Sequence, residues 1–251
     1  MKHPCYLLLC VLLLISCASK TLNSAHQREI AFATQRLGEE YYNAGNYTAA
    51  LKNLLDAQKA LPNDPYLHDS LGLVYLARQR YDLAEHHFKT ALTLKPDYIL
   101  AKNNLGATYL RQEKWALAIQ CFEDISGNLL YATPEVPLSN LGWAYFHQNM
   151  FKKAKQYFIE SLDIRPDFLI ALHGLASIYI ETGDYAQSLD FLRHELAKNP
   201  GAAILHSDLA KTYTALKDFD NAKKSWNVVL KLVPNTSFLA KEAQKNLFEL
   251  D

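Results

Sequence analysis

A two-residue mark, Leu followed by Gly or Ala, recurs along this chain at a nearly fixed interval. No other feature limits the fold as strongly. It stands at Leu37-Gly38, Leu71-Gly72, Leu105-Gly106, Leu141-Gly142, Leu175-Ala176 and Leu209-Ala210. Three residues after each small residue comes a tyrosine: Tyr41, Tyr75, Tyr109, Tyr145, Tyr179 and Tyr213. An aromatic follows at Tyr47, Tyr81, Trp115, Phe151, Tyr185 and Phe219, then a small residue at Ala50, Ala84, Ala118, Ala154, Ser188 and Ala222. Then comes a large residue at Leu54, Phe88, Phe122, Phe158, Leu192 and Trp226, and a proline closes five of the six copies at Pro62, Pro96, Pro166, Pro200 and Pro234. The interval is 34 residues, with two more between the third and fourth copies. A period in the range of roughly 20–50 residues specifies an array of stacked units.

Each copy reads as two helices joined by a turn such as Asn43-Ala44-Gly45-Asn46 or Thr182-Gly183-Asp184. Glycine there tolerates the left-handed conformation of a helix end. The small residue after Leu is expected to face the small residue of the second helix, so that two backbones approach closely. Proline stops the second helix because it lacks an N–H and crowds the preceding turn. In all these positions the copies resemble the tetratricopeptide repeat. The expectation is an all-α solenoid, a right-handed superhelix of six helix-turn-helix repeats at 31–64, 65–98, 99–132, 135–168, 169–202 and 203–236. Residues 237–251 would form a capping helix over the last repeat. The third copy departs from the pattern: Leu130 replaces the closing proline, and Ser126-Gly127-Asn128 should end its second helix early. The connection Leu129 to Glu135 is either a tolerated insertion or a contact loop or bend between two three-repeat halves.

The first residues carry a different signal. A positive start, an apolar run from Cys5 to Ile15, and the small cluster Ser16-Cys17-Ala18 have the layout of an export signal. The run is about 11 residues, roughly 17 Å as a helix, against the about 30 Å of a bilayer core. Leu14-Ile15-Ser16-Cys17 resembles the bacterial lipobox. That resemblance implies removal of a signal peptide, residues 1–16, and attachment of acyl chains, palmitate among them, through a diacylglycerol-modified Cys17. An ordinary signal peptide cut after Ala18 is the other reading. By the same resemblance, Ala18 in place of Asp after the cysteine places the anchor in the outer membrane, facing the periplasm. Residues 17–30 would hold the lipidated end and a flexible tether.

Chemistry is thinly represented. Lys+Arg 26 balances Asp+Glu 26, so phosphate neutralisation gives no case for nucleic acid. Of the four cysteines, three lie in the first 17 residues, and Cys121 in the body reads as a small packed residue. No metal-ligand spacing, Walker loop, HExxH or GxSxG is present. His86 and His87 are adjacent on a helix, point about 100° apart, and read as solvated. The expectation is a non-enzyme with no cofactor beyond the acyl anchor and no small-molecule substrate, working as a monomer on a protein partner.

The first helices of such repeats line a concave face. In this register that face includes Leu73, Leu76, Asn103, Leu110, Val136, Asn140, Trp143, Phe146, Ile170, His173 and Ile180. The basic pairs by which some chaperone adaptors of the family clamp a carboxylate are absent, their positions holding Gln35, Glu39 and Asn104. The groove should therefore prefer an apolar or amphipathic segment, anchored by Trp143 and Phe146 and oriented by Asn103 and Asn140. No base–nucleophile pair is expected around His173.

A lipobox followed by six such repeats resembles the type IV pilus biogenesis lipoproteins, the PilW/PilF/Tgl pilotin family. Leu130-Tyr131-Ala132-Thr133-Pro134-Glu135 ahead of Leu141-Gly142-Trp143-Ala144-Tyr145 also resembles an inter-repeat connection of that family. The resemblance implies a protein that promotes outer-membrane assembly of a secretin ring. A periplasmic scaffold recruiting cell-wall enzymes is the second reading.

Overall fold

The computed structural model describes residues 25–126 and 132–250. Among them every regular element is a helix. They are α1 (25–43), α2 (Tyr47–Gln58), α3 (Pro65–Ala77), α4 (Tyr81–Leu94), α5 (Ile99–Arg111), α6 (Trp115–Ser126), α7 (Glu135–His147), α8 (Phe151–Ile164), α9 (Leu169–Glu181), α10 (Tyr185–Lys198), α11 (Ala203–Ala215), α12 (Phe219–Leu232) and α13 (Phe238–Glu249). None is long and apolar enough to cross a membrane. Cys17, the signal segment and most of the connection after α6 lie outside the described residues. Residues 25–30, expected as tether, are already helical. They continue a helix whose Ala31 is buried in the same cluster as Ala57 and Leu61.

The helix ends are set locally. Asn46, Asp64, Asp218 and Ser237 accept from the backbone N–H three residues on, capping α2, α3, α12 and α13. The turn inside each of the six hairpins holds one left-handed residue: Gly45, Gln79, Glu113, Asn149, Gly183 and Lys217. Only two are glycine. At Gln79, Asn149 and Lys217 the following N–H is captured by a helix carbonyl: Arg80 by Tyr75, Met150 by Tyr145, and Asp218 by Tyr213, at 2.9–3.0 Å. The recurring tyrosine thus supplies a cap acceptor as well as a ring.

The chain divides into two compact units between Glu113 and Lys114. The division falls at the turn between α5 and α6, not at the connection after α6, because α6 packs on α7. The first unit holds α1 to α5 around Ala50, Leu54, Leu67, Leu71 and Val74. The second holds α6 to α13, with one cluster around Leu172, Leu192 and Leu205 and another around Trp226, Val229 and Ala243, where α13 closes on α12. The small and the large residue of every second helix are fully buried. Ser188, the polar member of the small set, shares a 2.8 Å hydrogen bond with Thr212.

The close approach differs from expectation in its partner. A Cβ on Gly72 would come within 2.5 Å of the Phe88 ring, and one on Gly142 within 2.5 Å of the Phe158 ring. The missing side chain makes room for the large residue of the second helix, not chiefly for the small one. A Cβ on Gly174, from the next repeat, would also run into the Phe158 ring. Phe158 therefore packs against two glycines, one in its own repeat and one in the next. Gly174→Ala is expected to lower stability by about 1–3 kcal/mol through overpacking. Urea unfolding followed by far-UV circular dichroism, with the midpoint moved and the slope retained, checks this.

Candidate functional site

In the second unit, α7, α9 and α11 present the residues expected on the first-helix face. Trp143 rests edge-to-face on Phe158 (centroids 5.5 Å, 73°) and on Phe146 (5.3 Å, 73°), and lies 5.0 Å from the His173 ring. Phe146 touches Phe151, and His147 stacks on Trp115 at 4.6 Å and 13°. Trp143, Phe146 and His173 are thus one half-buried aromatic cluster whose floor is the buried Phe158. Val136 and Asn140 precede Trp143 on α7 at helical spacing and are half-buried. On α9, Ile170 is exposed and Ile180 half-buried, on the same stripe as His173. Such rigid amphipathic rings suit a protein interface, since they offer large contact area at low entropic cost.

His173 has a partner that the sequence reading missed. Its Nδ1 lies 2.7 Å from Oδ2 of Asp208, whose side chain is 1% exposed. Burial pushes the Asp208 carboxyl up from the usual range, and the bond to His173 opposes that. The pair is one of a series. Two residues before each Leu stands a polar residue: Gln35, Asp69, Asn103, Ser139, His173 and Ser207. Several reach the residue just after the corresponding position in the next helix. Asn104 donates to Asp69 at 3.0 Å, and Ser207 lies 3.5 Å from Glu242. A polar column in otherwise apolar helices was the available signal.

In the first unit, Leu73 and Leu76 on α3 and Asn103 and Leu110 on α5 are half-buried. The Oδ1 of Asn103 is buried with no donor, so this residue does not have its acceptor satisfied within the described chain. Asp69 accepts from Asn104 and from the Tyr98 hydroxyl at 3.2 Å. Burial raises its pKa and, together with Asp69, raises that of Tyr98. Tyr66 meets Tyr98 edge-on at 5.1 Å.

The adjacent histidines are not both solvated. His86 is exposed, but His87 is buried, stacked on Tyr75, with its Nδ1 3.0 Å from Nδ1 of His68. His68 Nε2 lies 3.0 Å from the Pro62 carbonyl and donates to it, so a neutral His68 ring accepts at Nδ1 from His87. Cys121 is half-buried on α6. No group of three or more metal-ligating side chains exists among the described residues.

Sequence profiles described as tetratricopeptide repeat match residues 36–99 and 70–128, 137–168, 171–203 and 208–236. The crystal structure of PilW, a type IV pilus biogenesis factor, superposes with a TM-score of 0.73 at 22% identity, over 86% of this chain and 98% of that one. PilF of Pseudomonas aeruginosa gives 0.65 at 22% identity, over 88% and 99%. Among curated proteins, the BBSome member BBS4 of Bos taurus is 22% identical over 84% of this chain. The chain spans 40% of BBS4 and 29% of the yeast anaphase-promoting complex subunit CDC16, another match.

Two outcomes test this geometry. Burial and the neighbouring His68 and His86 lower the His87 pKa from 6.5 to about 4. At pH 7 both folded and unfolded forms are neutral there. As pH falls below 6.5 the unfolded chain takes up a proton that the folded chain refuses, so stability is lost down to about pH 4. The expected loss is about 2 kcal/mol between pH 7 and 5. Melting curves across that range should show a smaller loss for His87→Gln. His173→Ala removes the donor from buried Asp208 and should cost about 1.5–3 kcal/mol in a chemical denaturation at pH 7.

Proposed function

Because the chain belongs to the tetratricopeptide-repeat family, we propose that it is a non-enzymatic scaffold of type IV pilus biogenesis that holds a secretin segment. The observation that carries this reading is the half-buried cluster of Trp143, Phe146 and His173, an anchor for an apolar or amphipathic polypeptide on the first-helix face. Likeness to PilW and PilF over nearly their whole length supports the pilus assignment. The lipobox at Leu14 to Cys17 supports an acylated Cys17 in the outer membrane, with the repeats in the periplasm.

In this reading the protein acts as a monomer. More than one acyl chain makes anchoring stable. Confinement to the membrane raises the effective concentration of the scaffold beside an inserting secretin. The repeats then cover an exposed segment of each secretin subunit until the ring closes. A strain lacking the gene should show secretin monomers and no surface pili. The pair Trp143→Ala and Phe146→Ala, with folding confirmed by circular dichroism, should reduce secretin multimers severalfold on an immunoblot. Normal multimers in the deletion strain would refute the assignment, and recovery of cell-wall enzymes without secretin would favour the other scaffold role.

A further inference from the structure

The capping helix α13 has an outer face unlike that of a solvated cap. Its inner side, Ala243 with Leu239 and Leu247, packs on Trp226 and Val229 of α12. That closes the last repeat, and the outermost helix of an array needs a polar side facing away from it. Instead, the two most exposed large apolar side chains among the described residues stand on this helix. Phe238 is 80% and Phe248 is 84% exposed, against 53% for the next in rank. At about 100° per residue, Phe238, Lys241, Lys245 and Phe248 fall within an arc of about 80°, opposite the buried stripe, with the two rings about 15 Å apart along the axis. Both lysines are exposed. Lys245 lies 3.7 Å from the exposed carboxylate of Glu249, and Glu242 is drawn away to Lys211 at 2.9 Å.

The lysines decide what covers such a face. A second copy of the chain would set Lys241 and Lys245 against their own counterparts. A groove in a folded protein would take both ammonium groups out of water together with the rings, and desolvated charges are costly even when paired. At a bilayer surface rings and charges part. Phenylalanine enters the boundary between headgroups and acyl chains, while each lysine lays its stem along that boundary and keeps its charge among the headgroups. A single protruding helix needs no matching pocket there, and anionic lipid complements its positive charge.

We propose that the outer face of α13 docks on an anionic phospholipid bilayer, with Phe238 and Phe248 inserted at the headgroup boundary and Lys241 and Lys245 on the lipid headgroups. The surface is independent of the secretin assignment and of acylation at Cys17. It gives the second unit a membrane contact of its own.

The test places p-benzoylphenylalanine at position 248, and in a separate chain at exposed Ile159 on α8, in the full chain as its host processes it. Each is illuminated with vesicles of phosphatidylcholine alone or of an equal mixture with phosphatidylglycerol, and lipid adducts are read by mass spectrometry. On the mixed vesicles, position 248 should give about fivefold more lipid adduct than position 159, and about fivefold more than on neutral vesicles. Lys241→Gln combined with Lys245→Gln, at exposed positions, should lower the adduct by about fivefold with the circular dichroism spectrum unchanged. Equal capture at 248 and 159, or equal capture on neutral and mixed vesicles, would overturn the proposal. In native membranes position 248 should likewise capture phospholipid, and capture there of a protein instead, a second copy or another chain, would overturn it too.

Discussion

An aromatic ring seated where a first helix has no side chain is the contact on which this architecture depends. Phe158 is fully buried against Gly142 of its own repeat and Gly174 of the next. Phe88 occupies the same place over Gly72, and Leu54 over Gly38. Burial of such a side chain contributes about 1.5–3 kcal/mol relative to exposure, and no single hairpin encloses it alone. Stacking is therefore the condition for folding, and the register of one repeat on the next is fixed by a fit of atoms rather than by general stickiness.

That constraint leaves the first helices a division of labour. One face is committed to receiving rings and leucines, and the residues just beside it decide what the surface offers. Around Trp143 the same Phe158 that anchors the stack also supports the half-buried aromatic cluster, so the packing core and the proposed binding surface share a ring. The polar column beside it is internally satisfied in places, as in His173 with Asp208 and Asn104 with Asp69. Where it is not, at Gln35 and Asn103, a buried acceptor faces no donor.

The repeat interval made the helices, their hairpin pairing and the buried small and large positions legible from residues alone. The period could not reveal which partner the glycine accommodates, since Gly142 facing Ala154 and Gly142 facing Phe158 leave the same pattern. The left-handed turns at Gln79, Asn149 and Lys217 were hidden because backbone capture, not residue type, holds them. Of the groove, Trp143, Phe146 and His173 do come together. Asp208 and the buried His68–His87 pair escaped notice because their meaning lies in contacts 35 and 19 residues away, between helices. Adjacent residues on one helix, such as His86 and His87, take opposite environments, which adjacency in sequence conceals.

We propose that the first-helix face, not the outer helices, grips the protein partner, a secretin in the reading above. A photo-crosslinking residue at Phe146, compared with one at exposed Ile159 on α8, addresses it in native membranes. The account predicts secretin captured from position 146 and none from 159. Equal capture from both, or capture from 159 alone, would contradict it.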